Sequence, residues 1–282
     1  MESKIIFLGT GGDAFVIGKQ MRASGGIILQ TEGLQFHIDP GPGALVKAAE
    51  NGINLRGNTA VIATCNHINH CNDINAVISA MTYAGFDKRG VLVAAHSVVN
   101  TDERYLTEFH KNCLEKIIVL KSGQRLGIED TEIHALPANH SDPDTIGLKF
   151  ITNDFILTYS SDTSYSKALV KAYKDSDILI LNLPLPGDEK KEGQLNTQEA
   201  IKIISEVNPK LAIITHFGMK MLKSDPLYEA RQIQKQTNVQ ILVAKDGLVI
   251  NPASYAAKSA QKRLSGFSKK QNNQIPDNAS DS

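Results

Sequence analysis

Residues 64–73 read TCNHINHCND, and no other stretch of the 282-residue chain gathers as much coordinating chemistry. Cys65, His67 and His70 offer sulfur and imidazole nitrogen, and Asn69 offers a neutral amide oxygen. Such donors suit a metal ion, which needs several of them converging within about 2.0–2.3 Å. Packing alone rarely calls for this cluster. Three more candidate donors, His140, Asp162 and His216, each lie near the end of an apolar run.

The elements that must position these residues can be read from the pattern. The apolar run Thr59–Ala63 is a strand that delivers the histidine stretch. Asp73–Gly85 reads as a helix, because Ile74, Val77, Ile78 and Met81 fall on one face. Short strands are expected at 5–8, 91–95, 146–151, 156–159, 177–183, 211–214, 239–244 and 248–251, with a hairpin of 26–30 and 34–38. Helices are expected at 44–51, 103–114, 166–173 and 227–236. Asn196 and Glu199 have the spacing of a capping box that opens another. The segment 187–195 is charged and reads as an exposed loop. Glycines follow the first strand at 9, 11 and 12. Such a loop can cradle a phosphate, but the full dinucleotide spacing is missing and a tight turn is the favoured reading. Strands alternate with helices in the second half, as in a layered α/β protein. The suspected ligands sit past the C-terminal ends of strands, where such folds place their chemistry.

Composition narrows the class. Hydrophobic residues make up 41% of the chain, enough for a full core, and the formal net charge is +0, so no overall field draws in nucleic acid or membrane. Three cysteines and no leader pattern point to free thiols in a cytoplasmic protein. Cys71 and Cys113 read as buried small hydrophobes, and His37, His96, His110 and His134 as structural or surface residues. No apolar run has membrane-spanning length. Residues 1–255 are read as the folded unit. Residues 256–282 are read as a polar, disordered tail, with Lys258, Lys262, Arg263, Lys269 and Lys270 making it locally basic. RNA contact by that tail is the weaker reading, and a solvated tail the stronger.

The segments FLGTGG, IDPGPGAL, the histidine stretch, NHSDPDTIGLKF, YSSDT, LNLP and THFG occur in that order between residues 4 and 251. In order and spacing they resemble the metallo-β-lactamase fold superfamily, in the branch of ribonuclease Z and archaeal-type metal-dependent hydrolases. The resemblance implies a four-layered αβ/βα sandwich of the α/β class. It also implies one or two metal ions, usually zinc with iron or manganese as alternatives, and hydrolysis of a phosphodiester or other small ester by a metal-bound hydroxide. Aligned on the family's His-x-His-x-Asp-His motif, the four ligand positions here are Cys65, His67, Asn69 and His70, so two have changed. The first ion would take Cys65, His67, His140 and Asp162; the second would take His70, Asp162 and His216. Asp162 would bridge the two.

Asn69 cannot accept a proton, which removes the usual carboxylate role at that position. Gln194 stands where relatives often have a histidine that assists the leaving group. An anionic Cys65 beside a neutral Asn69 would keep the family's summed ligand charge. These three departures motivate a second reading, a catalytically impaired member retained as a binding or regulatory protein.

Overall fold

The computed structural model describes residues 2–100 and 105–256. The C-terminal tail with its lysines, and part of the helix expected at 103–114, lie outside these residues.

Strands β1 (Lys4–Gly9), β2 (Ser24–Thr31), β3 (Leu34–Ile38), β4 (Ala60–Ala63), β5 (Val91–Ala95) and β6 (Lys116–Leu120) build a first sheet. Strands β7 (Arg125–Ile128), β8 (Thr131–Pro137), β9 (Ile146–Ile151), β10 (Ile156–Tyr159), β11 (Ile178–Asn182), β12 (Leu211–Thr215) and β13 (Gln240–Val243) build a second. The closing strand β14 (Val249–Ile250) returns to the first sheet beside β1. The sheet orders are β14-β1-β2-β3-β4-β5-β6 and β13-β12-β11-β10-β9-β8-β7. Apart from β14, which pairs antiparallel with β1, in both sheets the antiparallel strands come first in the chain and the following strands pair in parallel across helical crossovers.

Alternation along the strands separates two apolar layers. In β11 and β12, Ile178, Ile180, Leu211 and Ile213 join the core shared with the first sheet. Leu179, Leu181, Ala212 and Ile214 face the other way, under the helices Lys167–Tyr173, Thr197–Val207 and Pro226–Thr237. The helices Ala44–Glu50 and Ile74–Thr82 pack on the first sheet. Phe36 of β3 meets Phe150 of β9 with ring centroids 5.5 Å apart, joining the two sheets through the middle. The result is the four-layered αβ/βα sandwich.

Local signals mostly held. Ile74, Val77, Ile78 and Met81 are all fully buried. Their helix stops at Thr82, before Gly85, because Tyr83 turns into the left-handed region at φ 50°. The Asn196–Glu199 capping box is formed, with both reciprocal bonds present. Cys71 and Cys113 are buried. The helix expected at 103–114 is Glu108–Asn112 among the described residues, because the Thr107 side chain caps its start. The segment 187–195 is exposed only in its first part. Gly193 and Leu195 are buried, since the Gly193 carbonyl accepts a bond from His140 and Leu195 joins the outer apolar layer.

Candidate metal centre

The sheets meet at an edge where the strand ends of both discharge their polar loops. From the first sheet, β4 leads into Cys65, His67, Asn69 and His70. From the second, β8 leads to His140, β10 to Asp162 and β12 to His216. The loop after β1 supports the last of these. Gly12 N–H donates to the Phe217 carbonyl at 2.9 Å, and Phe217 N–H donates to the Thr10 carbonyl at 2.7 Å. A Cβ on Gly12 would lie 2.1 Å from the His216 carbonyl oxygen, so this loop touches the His216 turn backbone to backbone. The glycines thus serve close approach. Asp39, Ser161 and His216 all adopt positive φ, at 52°, 54° and 61°. Non-glycine residues held there mark positions that the surrounding structure over-determines, and such positions cluster at functional sites.

At the centre stands the Asp162 carboxylate. His70 Nε2 is 3.2 Å from its Oδ2, His140 Nε2 is 3.6 Å from the same oxygen, and His216 Nε2 is 3.2 Å from Oδ1. His70, Asp162 and His216 offer ligand atoms that all lie within 4.8 Å of one another. Two rings are pinned from behind. His70 Nδ1–H donates to Asp39 Oδ2 at 2.8 Å, and His140 Nδ1–H donates to the Gly193 carbonyl at 2.8 Å. Since a carboxylate or carbonyl can only accept, each bond leaves Nε2 as the free donor atom in the neutral ring. Outer partners of this kind fix the orientation of metal-binding histidines.

Asp39 is the hub beneath. It also accepts Thr64 N–H at 2.8 Å, the Thr64 hydroxyl at 2.8 Å and the Tyr159 hydroxyl at 2.9 Å. Asn182 donates to Asp162 Oδ1 at 2.8 Å, while its own carbonyl oxygen is buried without a partner. Asp142 ties the two outer loops together, accepting Asn66 N–H at 2.9 Å and the Ser97 hydroxyl at 2.6 Å. Sequence reasoning did not single out Tyr159, Asn182 or Asp142. Asn182 left a trace, as the one polar residue in the buried strand ILILN.

The electrostatics follow from burial. Burial opposes charge on His70, but the carboxylates of Asp39 and Asp162 outweigh it and raise its pKa to about 10. Burial likewise opposes charge on Asp162, yet His216 and His70 hold it well below the usual carboxylate range. His67 is lowered, first by burial and then by His140 and His70, so it is neutral at pH 7.

The remaining sequence candidates are less closely joined. His67 packs edge-on to His140 with centroids 4.7 Å apart, and its Nε2 lies 3.2 Å from the Ser141 hydroxyl. Its Nδ1 is buried without a partner. Cys65 is fully buried and does not join the His70–Asp162–His216 group. Burial, then Asp39 and Asp162, push its thiol well above the usual range. Asn69 Nδ2 lies 3.2 Å from His216 Nε2. Gln194 is half-buried and lines a neighbouring groove.

Two sheets meeting at a His–Asp–His edge define a protein of the metallo-β-lactamase fold. The chain belongs to the β-lactamase superfamily: the family model described as the beta-lactamase superfamily domain matches residues 35–217. It is 34% identical over 256 residues to an uncharacterized protein of Methanocaldococcus jannaschii, covering 89% of this chain and 95% of that one. Among solved structures it is similar to the metallo-β-lactamase fold protein YhfI from Bacillus subtilis (TM-score 0.75, 18% identity, 89% and 99% of the two chains). It is also similar to a diphosphatase from the PhnP family (0.64, 20%, 89% and 97%) and to the short form of human tRNase Z (0.62, 15%, 88% and 98%). At these identities the structures show the shared fold.

Proposed function

We propose that the chain is a metal-dependent hydrolase acting on a phosphodiester or other small ester. The observation that carries this is the set of three imidazole Nε2 atoms around the Asp162 carboxylate, two of them on rings pinned through Nδ1. The donor set fits a metal ion. A buried carboxylate among neutral-capable imidazoles is the chemistry of two-His-one-carboxylate sites for zinc, iron or manganese. His70, Asp162 and His216 would hold one ion. Cys65, His67 and His140, sharing Asp162, would hold the other. When bound, such an ion supplies Lewis acidity to the scissile ester and acidifies water to near neutral pKa.

The protein's own residues do the rest. Asp39 and Gly193 orient rings, and Asn182 holds Asp162 in place. With only the ion of His70, Asp162 and His216 bound, His67, neutral at pH 7 and half-buried, can take a proton that Asn69 cannot. The likeness to a diphosphatase and to tRNase Z favours phosphate esters among the substrates the fold accommodates. RNA itself has weaker support, resting on tRNase Z and the basic tail.

One observation favours the second reading, an impaired member acting by binding. The Asn69 amide lies 3.2 Å from His216 Nε2, the atom an ion would need. Metal content decides between them. Protein purified without added metal should hold about one ion per chain or more. His70→Ala and Asp162→Ala should strip it and abolish hydrolysis of bis(p-nitrophenyl) phosphate. No metal after reconstitution, or turnover indifferent to both variants, would sink the hydrolase reading.

A further inference from the structure

Beside the candidate centre runs a groove of ≈ 470 Å³ that the metal site does not explain. Its volume lies within the range of small-molecule sites, about 300–1,000 Å³. Phe15 stands at its side, 70% exposed on the short helix Ala14–Gly18. Lys19, Lys191, Lys220 and Lys223 line it from three separate segments, together with Gln194. Few negative charges oppose them. Asp13 lines the groove too, but its two oxygens accept Val16 N–H at 2.8 Å and Met219 N–H at 2.7 Å. Glu189 pairs with Lys220 at 2.6 Å. Lys19, Lys191 and Lys223 have no carboxylate partner among the described residues.

Two of its lining residues, Gln194 and Gly218, adjoin the centre along the chain. Gln194 follows Gly193, whose carbonyl pins His140. Gly218, also in the lining, lies two residues past His216. An exposed ring with unpaired ammonium groups beside it fits a ligand that is planar at one end and anionic at the other. Aromatic side chains stack on nucleobases of any type, and lysines neutralise phosphates as point charges.

We propose that this groove is a nucleotide-binding subsite, its base against Phe15 and its phosphates against Lys19, Lys191 and Lys223, with the reacting phosphate toward His216. This rests on the hydrolase reading for its catalytic meaning, but the binding can be tested apart from it. ADP is titrated calorimetrically into metal-stripped protein, with adenosine and inorganic pyrophosphate as partial probes. ADP should bind more tightly than either part. Phe15→Ala should weaken ADP about tenfold. Lys191→Glu with Lys223→Glu should weaken it at least as much and flatten its salt dependence. All three side chains are exposed, and thermal melts check that the variants fold; either variant alone suffices for the test.

No binding of ADP, or binding indifferent to both variants, overturns the subsite. ADP bound only when metal is restored, and still indifferent to the groove variants, places the ligand on the metal centre; the subsite then falls while the hydrolase reading stands. ADP bound through the groove in a protein that takes up no metal leaves the subsite standing and removes the hydrolase reading.

Discussion

One carboxylate, Asp39, collects four hydrogen bonds from Thr64, Tyr159 and His70, and through His70 it sets the charge of the centre. Without metal, the folded pKa of His70 is about 10, above the ordinary 6.5. The stabilisation from the Asp39–His70–Asp162 contacts is therefore complete below pH 6.5 and is lost as pH rises through about 10. A metal ion needs the neutral ring, so binding expels a proton throughout that window. Apparent zinc affinity should rise about tenfold per pH unit between pH 7 and 9 from this group alone. Asp39→Asn removes one of the two carboxylates that hold the proton, so the release measured at pH 8 should shrink. It should also weaken zinc about 10–100-fold, as loss of an outer-shell partner does. Competition with a chelator across pH measures both; a flat profile would contradict the assignment. Cys65 behaves differently. Its thiol is neutral in the metal-free protein, so the charge compensation with Asn69 requires a bound ion to draw off its proton.

At the scale of elements, the centre depends on loops that touch without side chains between them. Gly12 passes against the His216 carbonyl, and Gly41 passes equally close to the Asn69 carbonyl, where a Cβ would lie 2.2 Å away. Neither contact leaves room for a methyl group, and both neighbours are backbone. Gly12→Ala should therefore push the His216 turn outward. The expected cost is about 1–3 kcal/mol in denaturant unfolding, the usual range for overpacking. Zinc affinity should fall while the far-ultraviolet circular dichroism keeps its shape. Unchanged affinity would mean that the turn around His216 moves more freely than its positive φ and close packing imply. Elsewhere the elements are locally encoded. The helix Thr197–Val207 carries its start in Asn196 and Glu199 and its buried stripe in Ala200, Ile203, Ile204 and Val207.

For the whole molecule, the candidate ligands are divided between two sheets. His70 belongs to the first, Asp162 and His216 to the second, so the centre exists only while the sheets stay in register. The contact of Phe36 with Phe150 is one of the places where that register is held. Phe150→Ala should cost about 3–5 kcal/mol of stability. Because the altered residue lies in the shared core, a loss of zinc affinity alongside it would report coupling through the sheet interface. Full affinity in a destabilised variant would show that the edge loops hold the centre by themselves. Among the described residues no helix is long and apolar enough to cross a membrane.

The sequence by itself determined most of the strands, because short apolar runs bounded by turn residues have few alternatives; β6, β7 and β8, closely spaced and partly exposed, were not delimited. It determined the capping box and the stripe of the Ile74–Thr82 helix for the same local reason. It also placed each suspected ligand after a strand, and the order of the landmarks sufficed for the superfamily. Four short helices escaped it, Ala14–Gly18, Ile68–Cys71, His96–Val99 and Met219–Ser224. Segments of four to six residues have too little periodicity to read. The matching order of the two sheets was also hidden, since no repeated residues announce it. Tertiary structure alone decided which donors converge. His70, Asp162 and His216 come together through long-range packing with His140 3.6 Å from the same carboxylate, and that packing leaves Cys65 outside the group and sets the Asn69 amide against His216. It also decided that Phe15 and lysines from three distant segments share one groove. Spacing along a chain fixes a residue's local face, but proximity across two sheets is set by how their cores interlock.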